Sequence, residues 1–144
     1  MSKSGKYSNI DQCNPLECIS GKMARCGRIV SSVFRKHLKP FGITNSQLSI
    51  LFVITKAPLS TQKILSEKLY MDKSTVNRNL KRLLDGHLIL KEDKHIIRTS
   101  EKGMELMEQV IPHWEKAMAE IRNILGSDGE AAISLVQNKL QQSN

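Results

Sequence analysis

Apolar residues recur along most of this chain at alternating steps of three and four, which is the spacing of one helical face. The first such stripe begins at Asn14-Pro15-Leu16-Glu17, with an N-cap residue, a proline at the first helical position and a glutamate at the third. It predicts a long helix over 15–38 whose apolar face consists of Leu16, Ile19, Met23, Cys26, Val30, Val33 and His37. Residues 1–12 are polar, and we expect them to be frayed.

Three shorter helices are predicted between residues 44 and 86. Thr44-Asn45-Ser46-Gln47 has the form of a capping box, and it opens a helix that Pro58 ends. Ser60 or Thr61 would cap the next helix, which turns inward Ile64, Leu65 and Leu69. Asp72 would cap the third, over 73–85, and Gly86 would stop it. The buried face of this third helix is predicted to be Val76, Leu80, Leu83 and Leu84.

The pattern changes its period after Gly86. Residues 88–91 and 95–98 are short runs typical of β-strands, and Glu92-Asp93-Lys94 between them predicts a tight hairpin. Thr99 or Ser100 would cap a second long helix with a stripe of Met104, Met107, Ile111, Trp114, Met118, Ile121 and Leu125. Pro112 predicts a kink inside it, and residues 126–130 predict its end. A last helix would then carry Ile133, Val136 and Leu140.

The order of elements predicts a mainly α fold with a small β-hairpin wing. A helix-turn-helix followed by a hairpin is a winged helix, and here long N- and C-terminal helices flank it. We expect one domain over 1–144, with a central lobe at 44–98. Within this lobe lie the helix 73–85 and the wing 88–98.

Charge is distributed unevenly along the chain. The net charge is +8, but residues 1–98 hold 18 Lys and Arg against 7 Asp and Glu, whereas residues 99–144 hold 4 against 7. A basic region beside a mildly acidic one indicates a module that binds a polyanion.

Several classes of protein lack support in the sequence. The four histidines and three cysteines have no zinc-ligand spacing, and no phosphate loop or nucleophile elbow is present. We therefore expect neither an enzyme nor a cofactor or metal. The longest apolar run, 50–54, is too short to cross a bilayer, and the polar N-terminus does not resemble a signal segment. These features predict a cytoplasmic protein without a membrane partner.

The helix 73–85 has the composition of a DNA recognition helix. With its apolar positions inward, the outward face and its N-terminal flank carry Lys73, Ser74, Thr75, Asn77, Arg78 and Lys81. Arginine and asparagine suit guanine and adenine edges in the major groove, and lysine suits phosphates. The wing adds Lys91, Lys94, His95 and Arg98, which we expect to contact phosphates or the minor groove. An ordinary solvated face and a charged edge strand are the alternatives.

Three segments resemble the MarR family of transcription regulators. Residues 38–48 (LKPFGITNSQL) resemble its turn between the first two helices, residues 71–83 (MDKSTVNRNLKRL) its recognition helix, and residues 99–103 the start of its fifth helix. The resemblance spans about 15–141. It implies homodimers that bind palindromic DNA, usually as repressors released by small aromatic or lipophilic ligands or by oxidation. The wing departs from the family, because Asp93-Lys94-His95 stands where an Asp-x-Arg pattern is usual.

The long helices would then be dimerisation helices, at 15–38 and 100–141. A chain of this size could not easily bury all of these stripes alone, and a second copy would cover them. The residues expected in the dimer contact are Leu16, Ile19, Ile111, Trp114, Met118, Ile121, Leu125, Ile133, Val136 and Leu140.

The sequence thus favours a dimeric, sequence-specific regulator that binds double-stranded DNA and represses until a small effector binds. The alternative is a redox-sensing regulator on the same fold. Cys13 and Cys18 are its candidate residues, since a helix N-terminus lowers a thiol pKa, whereas we expect Cys26 in the core. An RNA-binding module is disfavoured, because the few aromatic residues form no stacking platform.

Overall fold

A computed structural model describes residues 5–143. Its helices are α1 (Ser8–Gln12), α2 (Ile19–Leu38), α3 (Asn45–Lys56), α4 (Gln62–Leu69), α5 (Lys73–Asp85) and α6 (Glu101–Gln142), and its strands are β1 (Ile89–Lys91) and β2 (Ile97–Thr99). The chain divides into two compact units at Ser32, inside α2. No helix among the described residues is long and apolar enough to span a membrane.

The N-terminal unit differs from the prediction in its first helix, in the start of α2 and in the exposure of Cys26. Residues 8–12 form the short helix α1 where fraying was expected, and residues 1–4 lie outside the described range. Asn14 does act as a cap, but of a single 3-10 turn, Pro15–Glu17, and α2 starts only at Ile19. Cys26 is exposed, so its expected place in the core of the chain is wrong. An amphipathic stripe identifies the apolar face of a helix but not whether the same chain covers it.

The second unit has its core between the three short helices, the hairpin and the first part of α6. Its helices start at the predicted caps. Thr44 and Gln47 form both bonds of the capping box, and Thr61 caps α4 by accepting a hydrogen bond from Ile64 N at 3.3 Å. The buried apolar residues include Leu38, Leu48, Ile50, Leu51, Leu65, Val76, Leu83, Ile89, Ile97 and Val110.

The hairpin is antiparallel, with Leu90 opposite Arg98 and Lys91 opposite Ile97. Its second strand lies two residues beyond the predicted start at 95, because the turn occupies more residues than expected and holds a 3-10 turn at Asp93–His95. The amide of Ile97 also donates to Ser60 O at 2.8 Å, which attaches the hairpin to the chain before α4. This hydrogen bond holds the hairpin against the helix-turn-helix.

Helix α5 stops at Gly86, as predicted, but the left-handed residue is the one that follows it. Gly86 ends the helix, but its φ is −82°, which any residue adopts. The left-handed residue is His87, with φ 58°. Its carbonyl accepts a hydrogen bond from Ser100 Oγ at 2.6 Å, which holds this turn against the start of α6.

The structure at the start of α6 explains why Ser100 and Gly103 occur in the segment 99–103. Ser100 caps the helix by accepting from Gly103 N at 3.0 Å, and its own amide donates to Leu88 O. A Cβ at Gly103 would collide with the Leu88 carbonyl oxygen and lie 2.8 Å from Thr99 Cγ2. Only glycine therefore lets α6 approach the hairpin this closely.

The irregularity in α6 lies at Gly126 rather than at Pro112. Gly126 has φ 70° and ψ 176°, a conformation restricted to glycine, whereas the backbone at Pro112 stays helical. Residues on the two sides of the break are joined by an ion pair between Arg122 Nε and Glu130 Oε1 at 3.0 Å. The predicted boundary at 126–130 therefore coincides with the junction of two helical segments at Gly126.

Contacts from α6 to the chain before α3 include hydrogen bonds and one aromatic pair. Glu120 accepts hydrogen bonds from Lys36 Nζ at 2.7 Å and from His37 Nε2 at 3.2 Å, and these bonds hold the pKa of its carboxyl below the usual value. The rings of Phe41 and His113 lie 4.8 Å apart between their centroids.

Candidate DNA interface

The predicted recognition helix α5 has a firmly capped N-terminus. Asp72 Oδ1 accepts hydrogen bonds from Thr75 N at 2.7 Å and from Ser74 Oγ at 3.1 Å. These bonds, that of the Thr75 backbone first, lower the pKa of Asp72 below its ordinary value of 3.8. The first turn of α5, where most of its polar residues lie, is therefore held in place before any ligand binds.

The side chains of α5 separate into a buried face and an exposed face as predicted. Val76, Leu80 and Leu83 are buried, and Leu84 is half-buried. Of the residues predicted to contact DNA from α5, Thr75 is half-buried and the others are exposed: Lys73, Ser74, Asn77, Arg78 and Lys81. The exposed set offers hydrogen-bond donors and acceptors that can pair with base edges, together with cations for phosphates.

Asn79 is a polar member of the buried face that the sequence analysis missed. It is 6% exposed, and its Nδ2 donates to Thr75 O at 3.0 Å. Its position three residues after Val76 could have indicated burial, because residues three apart share a helical face. The bond fixes Asn79 to the turn that carries the exposed residues.

The hairpin presents its basic residues at a strained tip. Lys91, Lys94 and His95 are exposed, and the last two have left-handed backbone angles, with φ of 60° and 62°. Two successive residues other than glycine in this region are unusual and hold the tip in one shape at an energetic cost. The hydrogen bond from Glu92 N to Ile96 O, at 2.7 Å, closes the turn beneath them.

Arg98 is engaged within its own hairpin. Its Nη2 lies 2.7 Å from Glu92 Oε1, so the guanidinium is paired with a carboxylate. We predicted a phosphate contact for Arg98, and such a contact would have to compete with Glu92.

Helix α5 and the hairpin together enclose a cleft of about 190 Å³. Asn77 and Lys81 line it from the helix and Lys91 from the hairpin, above an apolar floor that includes Leu84 and Ile89. The fold therefore brings together residues predicted separately for the recognition helix and the wing. Gln62, at the first position of α4, lines the same cleft and was not predicted.

The residues predicted for dimerisation fall into two groups by exposure. Ile111, Trp114, Met118, Ile121 and Leu125 are half-buried, and Trp114 packs edge-on against Phe52 with ring centroids 5.3 Å apart. The others are exposed by 43% to 76%: Leu16, Ile19, Ile133, Val136 and Leu140.

The cysteines are all free and exposed. Cys18 directly precedes α2, and its Sγ accepts a weak hydrogen bond from Gly21 N at 3.4 Å. Within residues 5–143, no three His, Cys, Asp or Glu side chains come together in a group that could hold a metal ion.

Comparison with known proteins gives a consistent result. A model of the MarR family matches residues 41–95, which contain α3 to α5, β1 and most of the turn of the hairpin. The uncharacterised HTH-type transcriptional regulator YwoH of Bacillus subtilis (strain 168) is 28% identical over 124 residues, covering 80% of this chain and 88% of YwoH.

Two solved structures share the fold over most of the chain. The transcriptional repressor CouR bound to p-coumaroyl-CoA matches with a TM-score of 0.81 at 18% identity, covering 90% of this chain and 95% of CouR. The transcriptional regulator MosR of M. tuberculosis in complex with DNA matches with a TM-score of 0.74 at 22% identity, covering 88% of this chain and 99% of MosR. Both likenesses extend beyond the residues that the family model matches, and they confirm the predicted winged-helix fold with its flanking helices.

Proposed function

We infer that this chain belongs to the MarR family of transcription regulators, and we propose that it is a homodimeric regulator that binds a palindromic site on double-stranded DNA. The observation that carries the proposal is the exposed polar face of α5, which begins at a rigid cap and shares a cleft with Lys91 of the hairpin. A helix of this kind enters the major groove with its N-terminal residues leading. The activity is regulatory rather than enzymatic, and it takes place in the cytoplasm.

Dimerisation is part of this proposal because two regions of the chain expose apolar side chains. In the N-terminal unit, Leu16 and Ile19 are exposed by 71% and 76%. In the C-terminal part of α6, Ile133, Leu135 and Leu140 are each more than half exposed. A second copy would cover them and would supply the two-fold symmetry that a palindromic site requires.

Within the DNA contact, we assign different roles to Arg78 and Lys94. Arg78 lies on the exposed face of α5, where a bidentate contact to a base edge distinguishes sequences by roughly 1–3 kcal/mol. Lys94 lies at the hairpin tip, where a phosphate contact contributes affinity and salt dependence without recognising sequence.

The proposal is tested by selecting a binding site from random duplexes and titrating that site and a scrambled duplex at two salt concentrations. Arg78→Ala is expected to weaken binding to the selected site far more than to the scrambled one. Lys94→Ala is expected to weaken both about equally and to flatten the dependence on salt. Lys116→Gln, an exposed charge on α6, is the control. If Arg78→Ala leaves binding to the selected site unchanged, our assignment of α5 is wrong.

For regulation, we propose release from DNA by a small aromatic or lipophilic effector. CouR, a structural neighbour, was solved with p-coumaroyl-CoA bound, which supports this class of ligand for the fold. Replacing Cys13, Cys18 and Cys26 by serine is then expected to leave release by such a ligand intact. Peroxide that abolished DNA binding by the wild type but not by the Cys18→Ser variant would favour the redox alternative.

A further inference from the structure

A second groove lies beside the proposed interface, between α4 and the tip of the hairpin. Its cavity volume is about 630 Å³, and its lining includes Lys63, Glu67, Lys73, Lys91, Lys94 and His95. Four lysines therefore face one groove against a single carboxylate. Lys63 and Glu67 come from α4, for which the sequence analysis made no functional prediction.

The position of this groove indicates its ligand. Lys91 lines both this groove and the α5–hairpin cleft that contains Asn77 and Lys81. Lys73, at the first position of α5, lines the groove directly before the exposed recognition face. A backbone of DNA whose bases contact that face continues past these lysines, and duplex DNA carries about one negative charge per 1.7 Å of its axis.

We propose that the groove between α4 and the hairpin holds the DNA backbone, that Lys63 adds a phosphate contact there, and that Glu67 opposes binding. The inference rests on the proposed DNA-binding function. Glu67 lies one helical turn after Lys63, and both side chains are exposed. Within residues 5–143, neither has an ion-pair partner within 4.0 Å.

An unpaired carboxylate among four lysines has a predictable effect on a polyanion. It repels each phosphate that the lysines attract, so it lowers affinity for any sequence by a similar factor. Charges outside the groove contribute much less, since salt screens exposed charges beyond about 10 Å at 0.1 M. Lys63 and Glu67 thus form an opposed pair that sets overall affinity for DNA without changing sequence preference.

The test measures the affinity of the full-length protein for a fluorescent duplex carrying the selected site and for a scrambled duplex of equal length. Lys63→Gln is expected to weaken binding to both on the order of fivefold and to reduce the slope of log affinity against log salt by about one. Glu67→Gln is expected to tighten binding to both by roughly twofold to fivefold, and to steepen that slope. Lys116→Gln and Glu115→Gln, exposed on α6, are the matched controls.

The two variants make the inference separable from misfolding and from the proposed function. A damaged fold can weaken binding but does not tighten it, so the gain from Glu67→Gln cannot arise that way. If the wild type binds DNA but Lys63→Gln behaves like Lys116→Gln, or Glu67→Gln fails to tighten binding, this inference is overturned and the proposed function stands. If the wild type binds no duplex, the proposed function fails and the inference fails with it.

Discussion

Apolar side chains in the central lobe and at the end of α6 have opposite environments. In the lobe Leu48, Leu51 and Leu65 are fully buried. At the end of α6, by contrast, five large apolar side chains are exposed by 43% to 67%: Ile124, Ile133, Leu135, Val136 and Leu140. The lobe is covered from several directions by helices and a hairpin of its own chain. The distal part of α6 has the same kind of amphipathic sequence without such cover.

This difference indicates that folding of the lobe and association of the chain have separate sources of free energy. The lobe buries its core within one chain, so its stability depends on contacts such as those of Gly103 and Ser100. Covering exposed apolar area gains about 25 cal/mol per Å², and at the end of α6 this gain requires another molecule. Substitutions in the two regions are therefore expected to have different effects.

The largest effect is expected at Gly103. Gly103→Val would place side-chain atoms into the Leu88 carbonyl and Thr99, and the rigid contact between α6 and the hairpin cannot relax, so we expect a loss of about 3 kcal/mol or more in the free energy of unfolding. Urea denaturation measures it. Gly27→Ala is the control, since its added Cβ meets nothing within 4 Å, and we expect it to stabilise α2 by about 0.5–1 kcal/mol. A destabilising Gly27→Ala would indicate that a second chain approaches α2 closely.

The next effect concerns association. The wild type is expected to run in light scattering at twice the 16.3 kDa of one chain. Val136→Asp places a charge among the exposed apolar residues of α6 and is expected to produce monomers that keep a helical lobe, as seen by circular dichroism. Ile121, which lies nearer the lobe in the predicted stripe of α6, is half-buried, so Ile121→Asp is expected to dissociate or unfold the chain. Asn138→Asp, on the opposite side of the helix, is the control. A monomeric wild type would refute the separation of the two regions.

A smaller effect is expected at the cap of α6. Ser100→Ala removes the acceptor for Gly103 N and the donor to His87 O, and we expect a loss of about 1–2 kcal/mol in the free energy of unfolding. Ser32→Ala is the control, because the Ser32 hydroxyl is exposed and bonds only to Ile29 O within its own helix. Equal losses in the two variants would show that the two hydrogen bonds of the Ser100 hydroxyl add no more to the free energy of unfolding than the exposed bond of Ser32.

The smallest effect is expected from pH at Asp72. Its pKa is lower in the folded chain, chiefly through the hydrogen bond from the Thr75 amide, so its stabilising contribution is complete above the ordinary value of 3.8. That contribution is lost as the pH falls through the lowered pKa. In Asp72→Asn the cap remains but the titration is removed. The difference in unfolding free energy between wild type and variant is therefore expected to shrink in acid, and a constant difference between pH 6 and pH 3 would contradict this.

The sequence by itself determined where α3, α4, α5 and α6 start and which face of α5 is exposed. Thr44, Thr61, Asp72 and Ser100 bond to amides three residues ahead, so such caps depend on a few neighbouring residues. The exposed face of α5 could be predicted because the apolar residues of this helix all lie on one side of it. Local rules of this kind act before any long-range contact forms.

Only the tertiary structure decided which apolar and charged groups find partners within the chain. In α6 the buried positions are Gly103, Met107, Val110 and Ala117, of which only Met107 belongs to the predicted stripe. Arg98 turned to Glu92, and Asn79 turned inward to Thr75 O. Lys63 and Glu67 line a groove with lysines of the hairpin only because the fold brings the hairpin next to α4. Each outcome depends on which surface lies opposite a residue, and residues distant in sequence supply that surface.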